Sequence, residues 1–315
     1  LLPSGRPVLG MADAVLLNDP ITGQGANNAS KGAAVYLQSI VERGEPGHDM
    51  CSLGNGGMIV PSHLEPLAAP GLVAMALKSV FTPASAVRVD PRLDVRFLRW
   101  GLDFIRSATP EHVQRSGPLL RDLALLSRKC YQDLAAACGN GFGFAQHGML
   151  MLPATAGGLA HECAAAESAR RLGIEATVLT PAQARALEPT LQLDVAGAVL
   201  YPLDAHLVPQ RLVGMLTQQL QLRGVQFLWS TEAHGWRTAN GRIEALRTSR
   251  GELTGDEYVL AAGSWSPRTL AGLRLRLPVE AGKGYSLTLP LPPVLPTRCA
   301  ILTEARVAVT PMDTA

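Results

Sequence analysis

A glycine-rich run at residues 53–63 is the first place where residue types and spacing suggest chemistry. Its centre reads Asn55, Gly56, Gly57 and Met58. Because glycine has no Cβ, consecutive glycines let a backbone approach a flat ligand closely. Paired glycines are also common in ordinary turns. The run therefore predicts either a segment beside a ligand or a simple turn.

A second candidate combines an aspartate with a glycine-containing stretch. Asp13 precedes a segment that includes Pro20, Gly23, Gly25 and Asn27, and a helical pattern follows. The N–H groups at the start of a helix attract anions, and an upstream carboxylate accepts hydrogen bonds from polyol hydroxyls. An ordinary glycine-rich helix entry explains the spacing equally well.

Two side chains are candidates for a direct role at a site. His63 has the chemistry of a general base, although a histidine that only packs or lines a pocket fits as well. Tyr285 can hydrogen-bond a ligand or belong to the core of a strand. The other histidines lack metal-ligand spacing, so we expect no metal site.

The composition of the 315 residues limits the class of protein. The chain is 47% hydrophobic and 17% charged, with a net charge of +2. Such a chain buries a substantial core, and its scattered basic residues do not form a nucleic-acid surface.

Cysteine usage and apolar runs predict where the protein works. The 5 cysteines form no CxxC pair, which argues against a zinc site or a disulfide framework and for a reducing compartment. No apolar run has the length of a membrane-spanning helix, and the first residues lack signal-peptide features. We expect a cytoplasmic protein, with peripheral contact to the inner membrane left open.

Hydrophobic periodicity and turn residues predict a mixture of helices and strands. Thr180, Pro181 and Gln183 form a helix-capping pattern, and Asn240-Gly241 favours a hairpin turn. Predicted helices lie at residues 95–105, 157–172 and 209–223, and a longer helix marked by apolar residues from 119 to 134 ends at Gly139. Predicted strands lie at residues 142–152, 174–179, 225–229, 258–262, 277–289 and 300–310.

Several motifs occur in an order that resembles the D-amino-acid dehydrogenase branch of the DAO-type FAD-dependent oxidoreductases. The similarity covers residues 51–312. The motifs that carry it are residues 55–59, 61–63, 66–71, 188–189, 261–266 and 283–286.

This resemblance implies an FAD cofactor and a D-amino acid substrate, with a quinone or oxygen as electron acceptor. Asn55 to Met58 would pack against the isoalloxazine ring. The turn that contains Ala262, Gly263 and Trp265 would lie by the FAD diphosphate. Val225 would belong to a strand whose backbone meets the adenine.

Residues 8–43 are similar to a different flavin motif. They resemble the carboxyl-side FAD motif of flavoprotein monooxygenases of the styrene-monooxygenase type. That resemblance implies that Asp13 binds the ribityl chain and that Pro20 to Asn27 lie along the flavin.

The sequence departs from a complete dehydrogenase pattern in three respects. The monooxygenase-like motif joins the dehydrogenase-like interior directly, near residues 44–51. The chain lacks the Gly-x-Gly-x-x-Gly loop that holds a pyrophosphate. It also lacks a counterpart of the family's Gly-x-Arg-Pro segment, which supplies a carboxylate-binding arginine. The alternatives to a D-amino-acid dehydrogenase are therefore a truncated or fused relative that cannot retain FAD, or a monooxygenase-like protein.

The resemblances together predict an α/β fold. An incomplete, Rossmann-like FAD-binding domain of DAO type would be interleaved with an α+β substrate domain. The expected segments are 1–50 with the monooxygenase-like motif, 51–90 near the flavin, 91–190 in the mainly helical substrate domain, 191–270 in the FAD-binding domain, and 271–315 as truncated substrate-domain strands.

Overall fold

The structure is a computed structural model that describes residues 9–10, 51–71, 73, 94–282, 285–289 and 293–312. Its contacts define two compact units. Described residues of the first unit fall within 1–18, 24–55 and 213–285, and those of the second within 56–212 and 286–315. The five-segment domain division expected from the sequence stays a prediction.

The described residues form six α-helices. In chain order they are α1 Val95–Ser107, α2 Pro110–Cys138, α3 Ala156–Arg171, α4 Pro181–Leu187, α5 Pro209–Leu222 and α6 Ser266–Thr269.

The strands of the described residues are mostly short. In chain order they are β1 Leu9–Gly10, β2 Met58–Ile59, β3 Met149–Leu152, β4 Thr177–Leu179, β5 Ala198–Tyr201, β6 Ala205–His206, β7 Ala233–Ala239, β8 Arg242–Thr248, β9 Gly251–Leu253, β10 Tyr258–Val259, β11 Cys299–Leu302 and β12 Val307–Val309.

The second unit is built on a sheet with the strand order β12-β11-β3-β5-β4. Only the β11–β3 pair is parallel. Side chains alternate across β3, so Met149 and Met151 join a core cluster with Ala166 of α3. Leu150 lies in a second cluster with Ala184 of α4. The sheet therefore buries apolar side chains on both faces.

Local signals account for where the helices begin and end. α2 starts after Thr109, whose hydroxyl accepts from His112 N at 3.2 Å, and ends before Gly139 with φ of 70°. The capping box predicted at Thr180 and Gln183 is confirmed, since each side chain bonds the backbone N–H of the other.

A buried carboxylate ties the entry of β11 to the end of α4. Glu188 is 2% exposed. It accepts from Thr297 N at 2.9 Å and from Thr297 Oγ1 at 2.6 Å. The Arg298 guanidinium lies 3.3 Å away. These contacts compensate the desolvated charge and fix the position of the β11 strand.

The first unit contains the antiparallel sheet β7-β8-β9. The predicted hairpin turn is confirmed, because Asn240 and Gly241 join β7 to β8 with φ values of 52° and 73°. The Trp236 indole donates to Thr269 O at 2.6 Å and so fastens α6 to this sheet. β1 pairs in parallel with β10.

Several strand predictions need correction. The predicted strand at residues 225–229 is wrong, because Val225 N bonds Leu220 O at 3.0 Å and wraps back onto the end of α5. The predicted strand at 277–289 is also wrong for its described residues, where Val279 N bonds Leu277 O in a tight turn. Residues 142–152 contribute only β3, residues 258–262 only β10, and residues 300–310 form the β11–β12 hairpin.

Candidate functional site

One of the predicted ligand-proximal glycines adopts a conformation that is strained for an alanine. Gly57 has φ of +68°, and a Cβ placed on it would lie 2.2 Å from Leu207 O. Its own carbonyl accepts from Leu207 N at 2.8 Å. Gly57 is therefore required for the close backbone approach at this position.

The glycine run is held between two other segments of the second unit. Met58 and Ile59 of β2 pair antiparallel with His206 and Ala205 of β6. The Thr310 hydroxyl, just after β12, donates to Gly56 O at 2.5 Å. The conformation of the run thus depends on distant parts of the chain.

A serine and an aspartate form hydrogen bonds beside the β2–β6 pair, where the chain leaves β2 and enters β6. Asp204, which is fully buried, accepts from Ser62 N at 3.1 Å and from Ser62 Oγ at 2.5 Å. Ser62 Oγ also lies 3.0 Å from His63 Nδ1. The order of contacts is therefore Asp204–Ser62–His63.

These residue types are those of a hydrolase triad, but their connections differ. In a triad the histidine bridges the serine and the aspartate, so that it removes the serine proton. Here Ser62 lies in the middle, and its hydroxyl faces the Asp204 carboxylate at 2.5 Å. The arrangement favours orientation of His63 over nucleophilic attack by Ser62.

Burial keeps two histidines of the second unit neutral. Desolvation lowers the pKa of His63 to about 4. Desolvation, and secondarily the charge of His147, lowers the pKa of His206 to about 4. The His206 ring packs edge-on to His147 with centroids 6.2 Å apart, and among the described residues its Nδ1 has no hydrogen-bond partner.

The depressed pKa of His206 predicts a loss of stability in acid. The unfolded histidine binds its proton near pH 6.5, whereas the folded one resists protonation until about pH 4. Stability that is present above the unfolded pKa is therefore lost as the pH falls through this window. In wild type, this effect should lower the unfolding free energy by about 3 kcal/mol in acid. We expect that His206→Gln does not show this decrease when denaturant unfolding is measured across the same pH range.

The exposed His161 provides the control for this experiment. His161→Gln keeps the buried His206, so the loss of stability in acid should persist in this variant. Equal slopes in wild type and His206→Gln between about pH 6.5 and pH 4 would contradict the burial effect.

The turn at Ala262–Trp265 lies in the first unit. Trp265 N bonds Ala262 O at 2.9 Å, and Gly263 has φ of 50°. The hydroxyl oxygen of Ser264 is buried and has no hydrogen-bond partner in the described part of the chain. A buried hydroxyl of this kind has a hydrogen to give to a ligand oxygen.

The predicted site residues belong to one or the other unit, or lie outside the described ranges. Gly56, Gly57, Met58 and His63 all lie in the second unit. Tyr285 is 80% exposed and Val225 is 42% exposed, both in the first unit. The predicted residues that lie outside the described ranges are Asp13, Pro20, Gly23, Gly25 and Asn27.

Sequence reasoning missed the role of Ser62 and Asp204. The serine stands within a predicted motif, but its partner lies 142 residues further along the chain. Asp204 is an isolated acidic residue between two short strands, and no local pattern distinguishes it.

Comparison with known proteins decides the family. Residues 32–314 match the FAD dependent oxidoreductase (DAO) family. The chain belongs to this family. The predicted similarity of residues 51–312 to its members and the α/β fold class are thereby confirmed, whereas the monooxygenase-like character of residues 8–43 stays a prediction.

Curated relatives carry the name D-amino acid dehydrogenase. The protein from Paramagnetospirillum magneticum is 31% identical over 85% of this chain and 66% of its own length. That from Granulibacter bethesdensis is 32% identical over 76% of this chain and 58% of its own length. The chain thus spans roughly three fifths of the length of these relatives.

Solved structures include the glycine oxidase from Geobacillus kaustophilus. It is 26% identical to this chain, with a TM-score of 0.47, and the match covers 50% of this chain and 44% of the oxidase.

FAD is the cofactor of this family, and the described residues fit it. Ser264 offers a buried hydroxyl hydrogen for an acceptor such as a phosphate oxygen. The Gly56–Gly57 backbone provides a segment without side chains beside β6. In the described ranges, no cluster of three or more potential metal ligands occurs.

Of the helices in the described ranges, none combines the length and the apolar character needed to cross a bilayer.

Proposed function

We propose that the protein is an FAD-dependent enzyme that oxidises a D-amino acid. The observation that carries this proposal is the 31% identity to a D-amino acid dehydrogenase over 85% of this chain. The family match over residues 32–314 supports the same conclusion. We thus attribute to this chain the activity that the name of these relatives states.

In the proposed reaction, the amino acid loses a hydride from Cα and a proton from its nitrogen to give an imino acid. Bound FAD supplies the site that accepts the hydride and its two electrons. Water then converts the imino acid to a 2-oxo acid and ammonia. The electrons leave for an acceptor, which we propose is a quinone or oxygen.

The chain's own residues contribute binding and orientation in this proposal. The glycine run faces the flavin ring, and the turn near Ser264 lies by the diphosphate. Val225 approaches the adenine, while Tyr285 and His63 serve the substrate. The FAD-contacting residues in this assignment are Asp13, Pro20, Gly23, Gly25, Asn27, Asn55, Gly56, Gly57, Met58, Val225, Ala262, Gly263 and Trp265.

FAD titration combined with turnover tests the proposal. The purified protein should bind about one FAD per chain. With D-alanine and an artificial electron acceptor it should then release equal amounts of pyruvate and ammonia. Protein that takes up no FAD contradicts the proposal and supports an inactive relative. Epoxidation driven by NADH or by a partner flavin would support a monooxygenase instead.

We further propose a cytoplasmic protein that contacts the anionic inner membrane peripherally through α1. Four apolar side chains of this helix are more than half exposed, at 79%, 52%, 54% and 53% respectively: Val95, Leu98, Leu102 and Ile105. Exposed arginines share the helix at positions 96, 99 and 106. An exposed apolar strip with arginines on the same helix is typical of helices that lie on anionic bilayers.

Vesicle sedimentation tests this contact. We expect the protein to sediment with vesicles rich in phosphatidylglycerol, because the arginine side chains are attracted to anionic headgroups. It should not sediment with vesicles of pure phosphatidylcholine. Leu98→Glu should abolish binding. Leu126 on α2 is 59% exposed, so Leu126→Glu is the matched control and should leave binding unchanged. Equal losses in both variants would contradict a role for α1.

A further inference from the structure

The contacts of Ser62 restrict where its single hydroxyl hydrogen lies. Ser62 donates to Asp204 twice, through its backbone N–H to Oδ1 at 3.1 Å and through its hydroxyl to Oδ2 at 2.5 Å. The hydroxyl hydrogen is thereby directed to Asp204. Ser62 Oγ is then left with lone pairs for any other partner.

The neighbouring contact must therefore run in the opposite direction. His63 Nδ1 lies 3.0 Å from Ser62 Oγ. Because that oxygen has no second hydrogen, Nδ1 must carry one and donate it. A neutral imidazole holds only one hydrogen, so Nε2 is left as a bare acceptor. The lowered pKa of His63 keeps the ring neutral at physiological pH.

We propose that Asp204 and Ser62 are positioning residues that hold His63 in the Nδ1–H tautomer, so that Nε2 accepts a hydrogen bond from an N–H donor of the ligand. On the function proposed above, this donor is the amino group of the D-amino acid. Although desolvation lowers the pKa of its ring, part of the His63 residue surface remains exposed. His63 is then an acceptor that orients the amine and not a base that removes a proton.

The hydrogen bonds between Ser62 and Asp204 also connect this histidine to the glycine run. Ser62 follows β2 and Asp204 precedes β6, and β2 pairs directly with β6. Any displacement of Asp204 therefore acts on both the tautomer of His63 and the backbone at Gly57.

Histidine ¹⁵N NMR on the protein without added FAD reads the tautomer directly. The His63 signal is identified by its loss in His63→Gln. We expect the Nδ1–H pattern in wild type, and in Ser62→Thr, which keeps the hydroxyl. Ser62→Ala removes the acceptor and Asp204→Asn gives the carboxylate position a donor, so both should convert His63 to the Nε2–H tautomer. An Nε2–H pattern or an imidazolium in wild type at neutral pH overturns the proposal, whatever the variants do.

The chain offers a matched control for the loss of a buried carboxylate. Glu188 accepts from Thr297 N and Oγ1 in the same manner as Asp204 accepts from Ser62. Glu188→Gln should therefore lower stability in a comparable way and leave the His63 tautomer unchanged. If Glu188→Gln also switches the tautomer, the effect is one of general loosening and the positioning role is wrong.

Kinetics of the FAD-loaded protein test the consequence for the substrate. Ser62→Ala should raise KM for D-alanine about tenfold, as expected for one lost hydrogen bond, with a much smaller change in kcat and in the affinity for FAD. An unchanged KM would overturn the role of Nε2 toward the amine. If wild type binds no FAD, the proposed function fails, while the NMR result still decides the tautomer.

Discussion

Gly57→Ala is expected to lower the free energy of unfolding by about 3 kcal/mol and to weaken FAD binding strongly. Two costs combine in this variant. An L-residue at φ of +68° is strained, and the new Cβ would lie 2.2 Å from Leu207 O, which forces β2 away from its partner β6. Denaturant unfolding and FAD titration measure the two effects separately.

Gly139 separates the conformational cost from the steric one. It has φ of +70°, but a Cβ there would meet nothing within 4 Å. Gly139→Ala should therefore cost only about 1 kcal/mol and leave FAD binding unchanged. Equal destabilisation of the two variants would show that the close approach at Gly57 has no energetic weight.

Glu188→Ala should lower the free energy of unfolding by about 3 kcal/mol, because it removes one partner of a buried ion pair. The Arg298 guanidinium and the backbone N–H of Thr297 would both lose their acceptor. Since these contacts fix the entry of β11, we expect hydrogen exchange to accelerate in β11 and in its neighbour β3.

An exposed ion pair in the same unit shows how much of this effect depends on burial. Lys129 and Asp133 form a salt bridge on α2 with side chains 67% and 64% exposed. Lys129→Ala should lower the unfolding free energy far less than Glu188→Ala does, because solvent screens an exposed ion pair. A loss in Glu188→Ala as small as this would contradict a structural role for the buried carboxylate.

The elements that the sequence predicted well are those specified by neighbouring residues. The end of the long helix at Gly139, the capping box at Thr180 and the hairpin at Asn240-Gly241 all depend on contacts within a few positions, whereas the start of that helix at Pro110 lies before the predicted region. Such local signals act before tertiary packing, so periodicity and turn chemistry reveal them.

Strand pairing was harder to predict because it depends on distant partners. Residues 225–229 have an apolar composition typical of a strand, but Phe227 stacks on Trp229 at 4.9 Å and the segment joins no sheet among the described residues. The contact between Ser62 and Asp204 was hard to predict for the same reason, since 142 positions separate the two residues. A serine or an aspartate alone gives no signal for such a contact.

The stereochemistry of flavin reduction tests the proposed activity most directly. The FAD-loaded protein would be mixed with D-alanine or L-alanine without oxygen, and the visible absorbance of the flavin would be followed. We predict rapid bleaching by D-alanine and no bleaching by L-alanine at the same concentration. Protein that binds FAD but is not reduced by D-alanine, or is reduced equally by both enantiomers, would contradict a D-amino-acid-oxidising function.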